Sequence, residues 1–503
     1  MSLLGIDLGT SGTRAAAFSE TGKLLSEYSV PISLSRTANL VETDAEAVLA
    51  AVYEATSNVA TSAALLNDHI AALSFSVQGE TVVPVDAQGM ALASAPVSMD
   101  RRGTHAAFVI GDQLGHAKFQ RITGQPLHPM FSVFKIAAGL PGWSNGVTSY
   151  LTLDAFISRR LGAAAVTDYS MAARTGVFDV NQLSWSDEIL AAAESTAGFA
   201  IAPRQLPETV EAGTIIGKVS VDAAQRLNLP AGTPIVAGLH DQAASFVGAG
   251  GRRGGPSVYA LGSSDCLTVV TAERPNNLAG TGFASYPLAE SRWVTLAGTA
   301  AGGWALDWFA QLVDAPIATV FDAPSDLPPA LLVLPYLAGS GTLDNDPSAL
   351  GVVAGLTLAT RRDELARSFL ESTGYELAKI ATALETRGID LGTIRAVGTG
   401  SGSARALQIR ASAADRQLVP VPGQSSARGA ALLAGIGIGV FTSLDEVPDS
   451  PVGEAVRPDP SYTDWYAMQR DNFANLFLST SSTVHKLSNN KENRACIIPS
   501  TTS

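Results

Sequence analysis

An apolar run that breaks on glycine and hydroxyl residues and then resumes specifies a strand–turn–strand hairpin, and this chain carries that device twice. Leu3-Leu4-Gly5-Ile6-Asp7-Leu8-Gly9-Thr10-Ser11 leads into the apolar run 15–18, and Val258-Tyr259-Ala260-Leu261-Gly262-Ser263-Ser264 leads into 267–270. A bend of this kind points backbone N–H groups and hydroxyls at an anion. Glycine lets the backbone come close to a phosphate, and Ser or Thr adds a donor without bulk. Thr10, Ser11, Gly262 and Ser263 are therefore candidate phosphate contacts. Two related bends in one chain imply two related domains that hold one polyphosphate from opposite sides.

The bulk properties narrow the class. At 503 residues the chain exceeds what one compact core supports, and 46% apolar with 16% charged residues is globular. A net charge of −13 argues against nonspecific nucleic-acid binding, which needs a basic face. Cys266 and Cys496 offer neither metal spacing nor a disulfide framework, and Cys266 reads as a small buried hydrophobe. Asp7 interrupts the opening run too early for a signal peptide, and no apolar stretch is long enough to span a bilayer. A soluble, cytoplasmic protein is expected.

Along the chain, 44–66 has helical apolar spacing with Thr43 or Asp44 as N-cap, and 70–77 is a strand ending at Gln78-Gly79-Glu80. An irregular insertion is expected over 98–178. A strand over 234–239 delivers His240-Asp241-Gln242 at its carboxyl end, where open α/β sheets commonly place ligand groups. Gly-rich 248–256 is the linker candidate. The plan then repeats: a helix over 362–386 with Thr360 at the cap and Gly388 at the stop, a strand 394–397 opening into Gly398–Ser403, a helix 404–414, a strand 417–421 and a helix 426–434. The expected fold is α/β, two ribonuclease-H-like domains spanning 1–248 and 249–478. The Ser/Thr/Asn-rich segment 479–503 is expected to be a disordered tail.

Four blocks in register carry a family resemblance. They are Gly5–Arg14; Gly238-Leu239-His240-Asp241-Gln242; Pro335–Ser340 with Gly351–Leu356 and the capped helix after it; and Gly398–Ser403 with Gly429-Ala430-Ala431. Over residues 1 to 475 the chain resembles the FGGY family of carbohydrate kinases, and the resemblance implies ribonuclease-H-like domains of the actin/hexokinase ATPase type with a catalytic cleft between them. Departures from the family pattern are Ala138 in place of a usual tryptophan, Phe369 where a smaller residue is common, and Thr399 and Gly402 where many members have Gly and Arg.

The residues alone leave Asp241 either an N-cap or a proton acceptor for a substrate hydroxyl. The resemblance implies the second, a general base in phosphoryl transfer from ATP. Asp7, a carboxylate beside a phosphate loop, would repel the ligand unless it faced Mg²⁺ through water, and the resemblance supports that role. Arg14 is a candidate for steadying the transferring phosphoryl. Gln78, Glu80 and Gln242 are candidate hydroxyl-binding residues, since a polyol needs several donors and acceptors. Asp100, in Asp100-Arg101-Arg102, is either a sugar contact or a structural ion pair. The resemblance implies adenine near Gly303, Gly400 and Ser403, with Ser401 in the same loop.

The partners so implied are a small-molecule sugar and ATP, with no nucleic acid and no membrane; a homodimer stays open. Loss of the arginine and tyrosine that glycerol kinases carry, at positions matched by Gly79 and Met130, enlarges the pocket beyond glycerol. The expected reaction is D-xylulose to D-xylulose 5-phosphate. Gluconate, another ketose and a tetritol are the alternatives within the family. An actin- or Hsp70-like ATPase, or a sugar sensor of weak catalysis, are the rivals from outside it.

Overall fold

The computed structural model describes residues 1–37, 40–65, 68–252, 255–299, 302–322 and 324–497. Each half is built on a six-stranded mixed sheet that starts from one of the two hairpins. In the first half, Ser2–Leu8 pairs antiparallel with Gly12–Ser19, which pairs antiparallel with Leu24–Pro31. On its other side Ser2–Leu8 runs parallel to Ile70–Val77, which runs parallel to Pro234–His240, and Ile215–Lys218 closes that edge antiparallel. The second half repeats the pattern. Ser257–Leu261 pairs antiparallel with Asp265–Thr271 and parallel with Ile394–Val397, which runs parallel to Leu418–Pro420. Trp293–Thr299 and then Ala284–Pro287 extend its antiparallel side.

Period-two alternation gives each strand two buried faces. Leu4, Ile6 and Leu8 face the Ala45–Leu65 helix in one core, and Leu3 faces a second core that mixes both halves, with Leu239 and Ala243 against Val258, Leu296 and Leu432. Asp44 caps the Ala45–Leu65 helix, its Oδ1 accepting from the Glu46 N–H at 2.9 Å. The Ser425–Gly437 helix of the second half lies on the first sheet. A Cβ at Gly5 would fall 1.8 Å from the Ala427 carbonyl oxygen, so only glycine allows that approach. The same helix crosses Asp241–Gly248 backbone to backbone: a Cβ at Gly248 would meet the Ser425 oxygen at 1.8 Å, and one at Gly429 the Ala244 oxygen at 1.9 Å.

Three expectations are corrected. The segment 98–178 is not irregular but holds five short helices, Thr104–Leu114, His116–Thr123, Ser132–Ala137, Leu153–Leu161 and Tyr169–Ala173. The Arg362–Glu385 helix is capped by Arg361, whose N–H donates to Glu364 at 2.8 Å, whereas Thr360 accepts from the Thr357 N–H. The segment 479–497 is helical rather than disordered, continuing Thr463–Ile497; residues 498–503 lie outside the described residues. Aromatic contacts of Phe473 and Phe477 with Tyr336 dock this helix, and Tyr466 joins the buried pair of Arg367 and Glu371. Cys266 is buried as expected, and burial pushes its thiol up to about 12.

Candidate active site

Three parallel strands of the first sheet end at one level and deliver polar residues there. Register pairs Asp7 with Ser76, Leu8 with Val77, and His240 with Val77. Ser76 Oγ donates to Asp7 Oδ1 at 2.7 Å, and the Gln78 N–H continues the ladder to Leu8 O at 2.9 Å. Asp241 is the first residue of its helix, and the helix has no side-chain cap, so the cap reading of Asp241 is set aside. Burial pushes its carboxyl up to about 7, with Asp7 and then Glu80 adding repulsion and Arg174 opposing them. Burial also raises Asp7, against the hydrogen bond from Ser76 and the charge of Arg14.

Glu80 forms one wall of this site. Its backbone is left-handed, φ +66°, a conformation that costs a non-glycine residue energy and is held here by its surroundings. Its carbonyl accepts from Ser132 Oγ at 3.0 Å and from Lys135 Nζ at 3.3 Å; Lys135 also donates to Val97 O at 2.8 Å. Burial lowers the Lys135 ammonium to about 8. The Glu80 carboxylate accepts from Arg174 Nε at 2.5 Å, and Arg174 also donates to Gln125 Oε1 at 2.7 Å. Gly79 leaves room for the His240 ring, which a Cβ there would meet at 3.1 Å. Gln78 Oε1, Gln242 Oε1 and Gln125 Nε2 are buried and make no hydrogen bond within the protein. Buried amides are normally satisfied, so these atoms are suited to a ligand rich in hydroxyls.

Asp100 is not free for a sugar. Its side chain is closed off, one oxygen accepting from the Val41 N–H at 2.9 Å and both from Arg102, which also pairs with Glu42. It is the structural ion pair of the two readings.

The hairpin bends carry the second group of residues. In the first, the Gly9 N–H donates to Gly12 O at 3.1 Å, leaving Thr10 half-buried and Ser11 exposed. Arg14, opposite Asp7 in register, donates to Ser29 Oγ at 2.8 Å and to Gln424 Oε1 at 2.5 Å, which ties the first sheet to the second half. At the second bend Gly262 and Ser263 are exposed, and their carbonyls accept from the N–H groups of Gly303 and Trp304, each at 2.9 Å. A Cβ at Gly303 would fall 2.6 Å from Gly262 O, and one at Gly400 would fall 2.8 Å from Leu261 Cβ. Gly262, Ser263, Gly303 and Gly400 are thus brought together at one strand end. Ser401 turns its hydroxyl onto Gly398 O at 2.7 Å, and Ser403 spends its oxygen as N-cap of Ala404–Ala414, accepting from Ala406.

Sequence reasoning missed Arg174, Gln125, Lys135 and Tyr286. Arg174 sits 94 residues from its partner, and a lone arginine between Ala173 and Thr175 was the only signal for it. Tyr286, from the second half, places its hydroxyl 2.9 Å from His240 Nδ1.

The sequence matches the profile of the FGGY family of carbohydrate kinases, N-terminal domain, over residues 2–248, and that of the same family's C-terminal domain over 258–438. It is 28% identical to a gluconokinase of Bacillus subtilis (91% of each chain) and 28% identical to a xylulose kinase of Escherichia coli (94% of this chain, 98% of that one). It is also 29% identical to a glycerol kinase of Coxiella burnetii (88% and 91%). Among solved structures, the gluconate kinase of Lactobacillus acidophilus superposes with a TM-score of 0.86 at 21% identity, and the ligand-bound xylulose kinase of that organism with 0.85 at 21%. Each covers 97% of this chain and 99% of the other.

Proposed function

The chain belongs to the FGGY family of carbohydrate kinases, and from that premise we propose that it transfers the γ-phosphoryl group of ATP to a hydroxyl of a neutral ketose, D-xylulose foremost, giving D-xylulose 5-phosphate. The supporting observation is the company of Asp241: a carboxyl raised to about 7 at strand ends that also carry Gln78 and Gln242, whose buried amide oxygens make no hydrogen bond within the protein. A base with a pKa near the operating pH is both ionised and able to take a hydroxyl proton as the O–P bond forms. The amide oxygens would accept from the other hydroxyls and fix which one reaches Asp241. Thr10, Ser11, Gly262 and Ser263 would cradle the phosphates between the bends, with adenine against Gly303 and Gly400.

Asp7 suits a hydrated Mg²⁺. Ser76 satisfies one carboxylate oxygen, and Asp7 stands close enough to raise Asp241. A cation there would shield the phosphate charges and relieve that repulsion.

Charge separates the candidate sugars. Glu80, Asp241 and Asp7 are all acidic, and the arginine that meets Glu80 and Asp241 is already committed to Glu80 and Gln125. A substrate carboxylate would meet Asp241 with Arg174 already paired to Glu80, so gluconate is disfavoured and a neutral polyhydroxy compound favoured. Coupled ADP release should be fastest with D-xylulose, slower with tetritols and glycerol, and slowest with gluconate. A preference for gluconate would overturn the assignment. Asp241→Asn should lower kcat by about 10²–10⁴-fold while keeping sugar affinity, and wild-type turnover in that variant would remove the base.

A further inference from the structure

His240 stands between the two halves of the molecule. It is the last residue of its strand and buried, and its backbone N–H donates to Ser170 Oγ at 2.9 Å. The imidazole Nδ1 lies 2.9 Å from the hydroxyl of Tyr286, and Nε2 lies 3.2 Å from Asp241 Oδ1. The two rings meet edge-on with centroids 5.8 Å apart. Tyr286 is fully buried on Ala284–Pro287, an edge strand of the second sheet. The chain leading to that strand is fastened to the first half. Gln120 donates to the carbonyls of Thr281 and Phe283, Arg274 donates to those of Gln120 and Arg121, and the Ser285 N–H donates to Gly124 O. Tyr286 is therefore held on His240 by a seam away from the bends.

We propose that Tyr286 is a positioning residue for Asp241 acting through His240, so that the second domain helps set the base carried by the first; this rests on the assignment of Asp241 as base. Burial and the charge of Arg174 keep His240 neutral, so its ring bears a single proton. While Asp241 is ionised, the tyrosine hydroxyl donates to Nδ1 and the proton sits on Nε2, facing the carboxylate. Once Asp241 has taken the substrate's proton on its other oxygen, Nε2–H still donates to Oδ1, and no proton moves on the ring. The tyrosine hydroxyl, donating to Nδ1, is what holds the ring in that tautomer. The proton from the sugar stays on Asp241 until it leaves to solvent. A phenylalanine in place of Tyr286 would keep the ring contact and lose the donor that fixes the tautomer.

The groups facing Asp241 are Asp7 and Glu80, which raise it, Arg174, which lowers it, and His240, with Tyr286 and Cys266 on the second sheet. Tyr286→Phe should lower kcat about 10-fold with sugar KM within about twofold, and should move the acidic limb of the kcat/KM–pH profile upward. His240→Gln, which can present an amide N–H toward Asp241, should keep more activity than His240→Leu. Adding Tyr286→Phe to His240→Leu should cost nothing further, because the tyrosine acts through the imidazole. Wild-type kcat and pH profile in Tyr286→Phe would overturn the proposal, as would effects of the two substitutions that multiply. If Asp241→Asn kept full turnover, the base assignment itself would fail; an inactive Asp241→Asn beside an unaffected Tyr286→Phe would sink this inference alone. Should His240→Leu not fold, the Tyr286→Phe profile and the His240→Gln comparison still decide the matter.

Discussion

Removing the positive member of the buried Glu80–Arg174 pair should cost both stability and specificity, and the structure gives the size. The two side chains are 5% and 8% exposed, so neither charge has water to fall back on. Deleting one partner of such a pair leaves a bare buried charge and costs about 3–5 kcal/mol. For a domain of some two hundred residues this corresponds to a fall in Tm of roughly 6–20 °C. Arg174→Met keeps most of the volume and should show that fall by differential scanning fluorimetry. It should also raise the sugar KM, because Glu80 would no longer be held. Arg174→Met with Glu80→Gln removes both charges and should recover most of the stability. About 1 kcal/mol should stay lost, since Gln125 Oε1 loses its donor. The pH profile provides a second reading: Arg174 lowers Asp241 and Glu80 raises it, so the acidic limb should climb in the single variant and return in the double. A single variant within a degree of wild type, or a double variant no more stable than the single, would refute the reasoning.

The acidic limb of kcat/KM should lie near pH 7, where Asp241 takes up a proton. Stability should move the other way. Asp241 and Asp168, pushed up to about 7 and about 8 chiefly by burial, bind protons in the folded state at pH values where the unfolded chain does not, so the melting temperature should rise from pH 8 to pH 6 as activity falls. A melting temperature that drops over that interval would count against both assignments. Gly429→Ala should drive the crossing helices apart, because its Cβ would fall 1.9 Å from Ala244 O. Overpacking of this kind costs about 1–3 kcal/mol or more, read as a lowered Tm together with weaker ATP and sugar binding, and an unchanged Tm would contradict the close crossing.

The frame was legible because its signals are local. The strands Ile70–Val77 and Ile394–Val397 and the helix Ala404–Ala414 stand at the residues expected of them, since each is an apolar or periodic run closed by Gly or a capping Ser. The short helices between 98 and 178 were not legible. Pro, Gly and His break the periodicity, and helices of five to eleven residues are stabilised by tertiary burial rather than by their own sequence. Polar composition misled at the carboxyl end, where Phe473, Phe477 and Tyr466 are enough to dock a helix whose outer face is Ser and Thr. Within the site, Asp7, Gln78, Glu80 and Asp241 came from strand ends, which sequence can locate. The partners that tune them, Arg174 and Tyr286, come from other elements, and no spacing announces a contact of that kind.

That division between ends and partners bears on how two domains can run one reaction. Asp241 begins one of the two crossing helices, and the other, Ser425–Gly437, follows directly on Gln424, the residue that receives Arg14 across the domains. Buried Arg428 on that second helix donates to the carbonyls of Gly22 and Gly248, so it grips both the first sheet and the end of the Asp241 helix. A crossing made through glycine backbones brings the two helices closer than side chains would allow. Any change in the relative position of the halves would reach the Asp241 helix through that crossing, the Arg428 hydrogen bonds and the Arg14–Gln424 link. The second half thus reaches Asp241 by two routes, the close backbone crossing at the Asp241–Gly248 helix and the Tyr286 hydroxyl on His240.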